Sequence, residues 1–200
     1  MNKFFGHLKT VMTHRAWVRY YCNKAGIVWQ GLVHDLSKYS PEEFFESVKY
    51  WQGNRSPIDA CKEHKGYSKA WFHHRGRNKH HYEYWIDYLD KGGSCMPMPR
   101  KYAKEILCDY LGAGRAYNGD NFTYEKELEW FEKKLENGIK MHPATAKFLH
   151  TVFSCLVEYS SETYVFNNLD FYYDFSLTWA QNYYPNLYYE ISKSYWKEIV

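Results

Sequence analysis

The stretch GLVHDLSK, residues 31–38, decides how the rest of this chain is interpreted. It places His34 and Asp35 side by side at the end of an apolar run, with Lys38 three residues beyond the aspartate. Neighbouring side chains diverge along a helix, but at a helix end they can turn toward one atom, and imidazole and carboxylate both ligate divalent metals. The pair predicts either a metal site or, as the commoner alternative, a helix cap beside a surface histidine.

Composition limits the class of protein. A length of 200 residues predicts one domain with an appendage, and a formal charge of +3 is too small to argue for nucleic acid by itself. Apolar runs are too short to span a membrane, and His7, Lys9 and His14 interrupt the apolar region that a signal peptide would need. Five scattered cysteines without a C-x-x-C pair favour free thiols in a reducing compartment. We therefore expect a cytoplasmic protein that does not enter a membrane.

Hydrophobic spacing predicts an all-α fold. Ser40-Pro41 followed by Glu43 predicts a capping box. The segment from Glu63 to Tyr88 is interpreted as a helix, a turn at 75–78 and a second helix that ends at 91–93, and no strand is expected. The other predicted helices cover residues 2–24, 27–35, 41–51, 100–117, 124–136 and 143–159.

Residues 161–200 differ from the rest of the chain in composition, because pairs of aromatic residues alternate with Asn, Ser and Asp. We predict a domain at residues 1–160 and a C-terminal extension at 161–200, formed of short helices or irregular segments. So many aromatic rings expose too much apolar surface to be left free. The extension is therefore expected to pack on the helical core or on a second subunit, which would make the protein a homodimer.

Further histidines and an aspartate accompany the His34-Asp35 pair. His14 lies on the first predicted helix, and Asp109 lies inside a helix face that otherwise looks buried. A lone buried aspartate is costly unless it is paired or bound to a metal. Two His-His pairs, 73–74 and 80–81, bracket the turn, and the spacing leaves open which member of each pair faces inward.

A histidine, a His-Asp pair and a distant aspartate in a helical chain resemble the HD-domain superfamily of metal-dependent phosphohydrolases. The segments at residues 14–18, 32–44 and 70–81 are more specific. They resemble the DUF5662 family, an uncharacterised bacterial and phage family related to HD proteins. The resemblance extends over about residues 7–150.

This resemblance implies an HD-domain-like helical bundle that holds one or two divalent ions, namely Mn, Fe, Zn, Ni, Co or Mg. The core metal ligands would be His14, His34, Asp35 and Asp109. Candidates for a second metal position are His74, His80 and His81. Asp35 and Lys38 would be catalytic, and the residues expected to bind substrate are Lys38, Arg75, Arg77, Asn78 and Arg115.

The function expected from the resemblance is hydrolysis of a nucleotide or another small phosphoester. The HD scaffold also hosts di-iron oxygenases, and the bound metal together with O₂ consumption would separate the two activities. A third interpretation is a non-enzymatic module that binds nucleotides or nucleic acid through the basic turn at residues 75–79 and the aromatic surface. Steeply salt-dependent binding without turnover would favour it.

Overall fold

The computed structural model describes residues 2–89, 92–159 and 161–184. The chain divides into two compact units. Of the described residues, those at 2–79 and 108–122 form the first unit, and those at 80–107 and 123–184 form the second. The described residues are predominantly helical, which confirms the predicted all-α class.

The first unit consists of one long helix, α1, and several shorter helices. Its helices are α1 (Lys3–Lys24), α2 (Val28–Val33), α3 (Pro41–Tyr50), α4 (Pro57–Lys65), α5 (Lys69–Arg77) and the part of α6 (Arg100–Asn118) that begins at residue 108. Two 3-10 segments, Leu36–Tyr39 and Gly119–Asn121, belong to the same unit.

Close helix contacts hold α1 in place within the first unit. A Cβ at Gly6 would lie 2.3 Å from the Trp51 ring, and one at Gly112 would lie 2.5 Å from Val18 Cγ2. Val18 is fully buried. Glycine at these two positions therefore allows the ring of Trp51 and the backbone of α6 to approach α1 more closely than any side chain would permit.

The second unit is built around α8 (Pro143–Glu158), which contacts α7 (Tyr124–Glu136), α9 (Glu162–Asn167) and α10 (Leu169–Tyr183). Phe131 of α7 and Phe153 of α8 have ring centroids 5.4 Å apart, and Phe148 meets Tyr173 of α10 edge-on at 5.9 Å. This unit also holds the first part of α6 and a 3-10 segment, Tyr82–Trp85.

The second unit contains strands that the sequence did not predict. β1 (Ile86–Leu89) and β2 (Gly92–Cys95) pair antiparallel, with Ile86 opposite Cys95 and Leu89 opposite Gly92. The helix predicted after residue 78, and its end at 91–93, are therefore wrong. The turn predicted at 75–78 is also wrong in its first three residues, since α5 continues to Arg77, and the helix predicted before it is divided between α4 and α5. Aromatic residues at 82–89 satisfy a helical spacing and a strand equally well, and the pairing with β2 favours the strand.

The C-terminal extension is described as far as residue 184, and residues 185–200 lie outside the described residues. Its described part forms α9 and α10, and both contact α8 in the second unit. The domain boundary at residue 160 and the second subunit stay predictions.

Among the described residues, no helix combines the length and apolarity needed to cross a membrane.

Candidate metal centre

Four buried donor atoms from distant parts of the first unit converge on one point. His14 Nε2 lies 3.3 Å from Asp35 Oδ2 and 3.1 Å from Asp109 Oδ1. His34 Nε2 lies 3.3 Å from the same two oxygens. All four side chains are buried, and they form a group that could hold a metal ion. The structure therefore brings together the four residues predicted as core ligands.

The end of α2 explains how adjacent residues reach the same point. His34 leaves the helix with an extended backbone (ψ 129°), and Asp35 adopts the left-handed conformation (φ 55°). This reversal turns the two side chains inward together. The predicted helix at 27–35 therefore extends two residues too far at its C-terminal end, since α2 ends at Val33. Arg15 stabilises the turn, because its guanidinium donates to the carbonyl oxygens of His34 (2.8 Å) and Leu32 (3.0 Å).

The other two donors come from α1 and α6. His14 lies one turn before Val18 on α1, and Asp109 lies one turn before Gly112 on α6. Because Gly112 contacts Val18 without an intervening side chain, the two helices are close enough for His14 and Asp109 to meet.

The separations between donors fit a single ion. Nitrogen and oxygen ligands lie about 2.0–2.2 Å from zinc, so adjacent ligands around one ion stand ~3.0–3.6 Å apart. The imidazole-to-carboxylate distances of 3.1–3.3 Å fall in this interval. In addition, the buried His14 Nε2 makes no hydrogen bond of acceptable geometry to any described residue, although it points at two carboxylates. An atom that is buried in this way is typical of a metal ligand.

Lys38 changes the charge of the cluster. Its Nζ lies 2.5 Å from Asp35 Oδ2. Burial alone would raise the pKa of Asp35, but the charges of His34, Lys38 and His74 hold that pKa well below its usual range. Burial likewise opposes the charged form of Lys38, yet Asp35 and Asp109 raise the pKa of its ammonium group. Two carboxylates therefore face one ammonium group, and the excess negative charge favours a cation.

A second chain of contacts leads away from Asp35. His74 Nε2 lies 3.3 Å from Asp35 Oδ1, the oxygen that does not face His14. His74 Nδ1 lies 2.7 Å from Glu43 Oε2, and His73 Nδ1 lies 2.6 Å from Glu43 Oε1. The second predicted position thus has one of its histidines, His74, beside Asp35, and His73 faces Glu43.

The remaining predicted histidines, His80 and His81, belong to the second unit. His80 is buried, and its Nδ1 lies 3.2 Å from Glu105 Oε1. The His80 and His81 rings are neighbours, with centroids 4.2 Å apart. Their assignment as metal ligands stays a prediction.

The predicted substrate-binding residues have different surroundings. Asn78 donates to Ser37 Oγ (2.9 Å) and to the His74 carbonyl (2.8 Å), so it braces the histidine. Arg75 lies over the Phe72 ring, and Arg77 donates to the His73 carbonyl. The guanidinium of Arg115 lies over Trp17 and Phe122, and its Nε donates to Tyr21 Oη.

Sequence reasoning missed Glu43 as a site residue and assigned it to a capping box. Ser40 Oγ does accept from the Glu43 backbone N–H, but the Ser40 N–H donates to the Ser37 carbonyl and the Glu43 carboxylate turns to the histidines. Half of the predicted box is therefore wrong. Glu43 is only 3% exposed, and a buried carboxylate of this kind needs a partner. The local spacing gave no indication of histidines some thirty residues away.

Comparison with known proteins gives one match. The model of DUF5662, described as a family of unknown function, matches residues 3–154, which include every core donor named above. No curated protein matches the chain. No solved structure matches it either. Because the match covers most of the sequence, the chain belongs to the DUF5662 family.

Proposed function

We propose that this protein is a metal-dependent phosphohydrolase that acts on a nucleotide or another small phosphoester. The observation that carries the proposal is the convergence of His14, His34, Asp35 and Asp109 at donor separations suited to one divalent ion. The resemblance of this ligand pattern to HD-domain phosphohydrolases supplies the reaction class. A divalent ion held there would polarise a phosphoryl oxygen and lower the pKa of a bound water molecule.

The chain's own residues suit the handling of a phosphoester. Asp35 is held ionised by its neighbours, so its carboxylate can ligate an ion and accept a hydrogen bond from an attacking water molecule. Lys38 is half-buried with its ammonium group at the cluster, where it can donate to a phosphate oxygen. The lysine also keeps the two carboxylates from repelling each other before a substrate or an ion arrives.

Asp35 also supports room for a second ion within the first unit. One of its oxygens faces His14 and His34, and the other faces His74. A carboxylate whose two oxygens each face an imidazole could bind one ion through each oxygen and so bridge two ions. Two ions about 3.5–4 Å apart are the arrangement that clamps both oxygens of a phosphoryl displacement. We therefore propose a bridging role for Asp35 and a ligand role for His74 at the second position.

The test begins with the protein purified without chelator. Its metal content is measured by elemental analysis, and it is then assayed with Mn²⁺, Fe²⁺, Zn²⁺, Ni²⁺, Co²⁺ and Mg²⁺ on phosphate monoesters, phosphate diesters and nucleoside mono- and triphosphates. We expect at least one equivalent of metal per chain and hydrolysis that depends on it. Oxygen uptake by the reduced iron-loaded protein, without phosphate release, would instead support the oxygenase.

Asp35→Asn is the decisive variant, since asparagine keeps the shape and tolerates the left-handed backbone but removes the charge. Metal affinity should fall at least a hundredfold, and hydrolysis should disappear. The matched control is Asp59→Asn, an exposed aspartate on α4 of the same unit. Equal metal binding by Asp35→Asn and the wild type would rule out the proposed centre.

A further inference from the structure

We infer that Glu43 is a positioning residue that fixes the ring of His74, so that His74 Nε2 is the nitrogen presented to the metal, and His73 is not a ligand. The inference rests on the proposed metal site and deepens it, because it identifies which member of the first His-His pair serves and what holds it in place. Its evidence is a line of contacts that runs from His73 through Glu43 and His74 to Asp35.

The distances along this line define the roles of the atoms. A carboxylate can only accept, so the nitrogen atoms that face Glu43 at 2.6 and 2.7 Å, Nδ1 of His73 and Nδ1 of His74, both donate. With the proton on Nδ1, a neutral His74 ring carries its lone pair on Nε2. That atom is the one that lies 3.3 Å from Asp35 Oδ1. Histidine ligands commonly donate their second N–H to a carboxylate in this way, which fixes the tautomer and raises the basicity of the ring.

Burial makes the arrangement specific. His74 is 2% exposed and Glu43 is 3% exposed, so neither can exchange its partner for water. Ser37 Oγ lies 3.2 Å from His74 Nδ1, and the Asn78 amide donates to Ser37 Oγ and to the His74 carbonyl oxygen.

His73 has the opposite surroundings. Its Nδ1 is already used by Glu43 Oε1, and its side chain keeps 20% of its surface exposed. It therefore completes the hydrogen bonding of Glu43 from the outside and does not face the cluster. The two adjacent histidines thus have separate roles, which the sequence alone could not distinguish.

A purely structural role for Glu43 is the alternative, because its contacts also tie α3 to α5. The chain provides a matched control in Glu46, which lies one turn further along α3. The Glu46 carboxylate accepts from Ser68 Oγ (2.6 Å) and from the Ala70 backbone N–H (3.0 Å) at the start of α5. Glu46 therefore ties the same two helices without touching either histidine.

The first measurement is Zn²⁺ affinity of the full-length protein by competition with a chromophoric chelator. We expect Glu43→Ala to weaken the binding of the weaker zinc equivalent about 10- to 100-fold. Glu43→Gln keeps an acceptor for His74 and should recover part of the loss. His74→Ala should abolish binding of the weaker zinc equivalent. His73→Ala and Glu46→Ala should change the affinity for that equivalent less than threefold.

The second measurement is the nitrogen chemical shifts of the histidines in the Zn²⁺-loaded, ¹⁵N-labelled protein. His74 should show a coordinated Nε2 and a protonated, slowly exchanging Nδ1, and Glu43→Ala should lose that slow exchange. A His74 ring coordinated through Nδ1, or an equal loss of zinc in Glu46→Ala and Glu43→Ala, would overturn the inference but leave the metal centre standing. A wild-type chain that binds no Zn²⁺ would overturn both.

Discussion

The two units bury different kinds of side chain. In the first unit, titratable groups lie next to one another out of water, and they include His14, His34, Asp35, His74 and Asp109. In the second unit, most of the buried surface of α8 is apolar, with Phe148, Leu149, Val152 and Phe153 all fully buried. Desolvating charges opposes folding, whereas burying apolar surface drives it. The difference indicates that the buried cluster in the first unit costs stability, and that the apolar packing around α8 in the second unit supplies it.

Removal of an aromatic anchor from α8 should have the largest effect on stability. Phe148→Ala removes the ring that meets Tyr173 of α10 and should lower the free energy of unfolding by about 3–5 kcal/mol. Urea unfolding followed by circular dichroism measures the change. The matched control is Phe175→Ala on α10, a ring that is 46% exposed and should cost far less. Equal losses in the two variants would mean that α10 is not anchored through α8.

A buried carboxyl group also lies on α7, which packs against α8: Glu127 is 6% exposed. Burial raises its pKa from 4.5 to about 7, so the folded state prefers the protonated carboxyl group. Its contribution to stability is complete below about pH 4.5 and is lost as the pH rises through 7. Glu127→Gln should therefore match the wild type near pH 4.5 and exceed it at pH 8, by up to about 3 kcal/mol.

Urea unfolding at several pH values tests this prediction. Glu125→Gln changes an exposed carboxylate in the first turn of the same helix and should not reproduce the pH-dependent difference. A Glu127→Gln variant whose advantage over the wild type is the same at pH 4.5 and pH 8 would show that folding does not raise the pKa of Glu127.

Substitution at the Gly112–Val18 contact between α6 and α1 should have a moderate effect on stability and on metal affinity. Gly112→Ala places a methyl group against Val18, and overpacking should outweigh the gain in helix propensity by about 1–2 kcal/mol. Metal affinity should fall as well, because α1 and α6 carry His14 and Asp109. Adding Val18→Ala removes the closest clash at Cγ2 and should restore part of both losses. If the double variant is no better than Gly112→Ala, the separation of these helices does not control the site.

The smallest effect on stability is expected at the turn that follows α2 and carries His34 and Asp35. Arg15→Lys loses the planar fork that donates to the carbonyl oxygens of His34 and Leu32, at a cost of about 1 kcal/mol. Because this turn presents His34 and Asp35, metal affinity should also fall by a few-fold in an isothermal titration. Arg19→Lys, on the exposed side of the same helix, is the control and should behave like the wild type.

The sequence predicted elements whose limits are set by local chemistry. The helix predicted at 124–136 agrees with α7, whose start is capped by the Thr123 side chain accepting from the Lys126 backbone N–H. The four core donors were also predicted to share a site, and the structure places them together. Local rules failed where partners come from far along the chain. Glu43 satisfies a capping pattern, and only the folded chain shows that its carboxylate faces His73 and His74. Likewise, β1 is defined by its pairing with β2 and not by its own spacing.

The distribution of donors along the chain has a consequence for the order of folding. Nearly half of the sequence separates His14 from Asp109, so the complete ligand set exists only after α1 and α6 have come together. Closing so long a loop is entropically unfavourable, and the unfolded chain offers an ion only scattered donors. An ion that needs all four donors can therefore bind only once the chain has folded, so its binding and folding are coupled. An ion present at 100 times its dissociation constant would add about 2.7 kcal/mol to the free energy of unfolding, so the supply of metal would shift the equilibrium toward the folded chain.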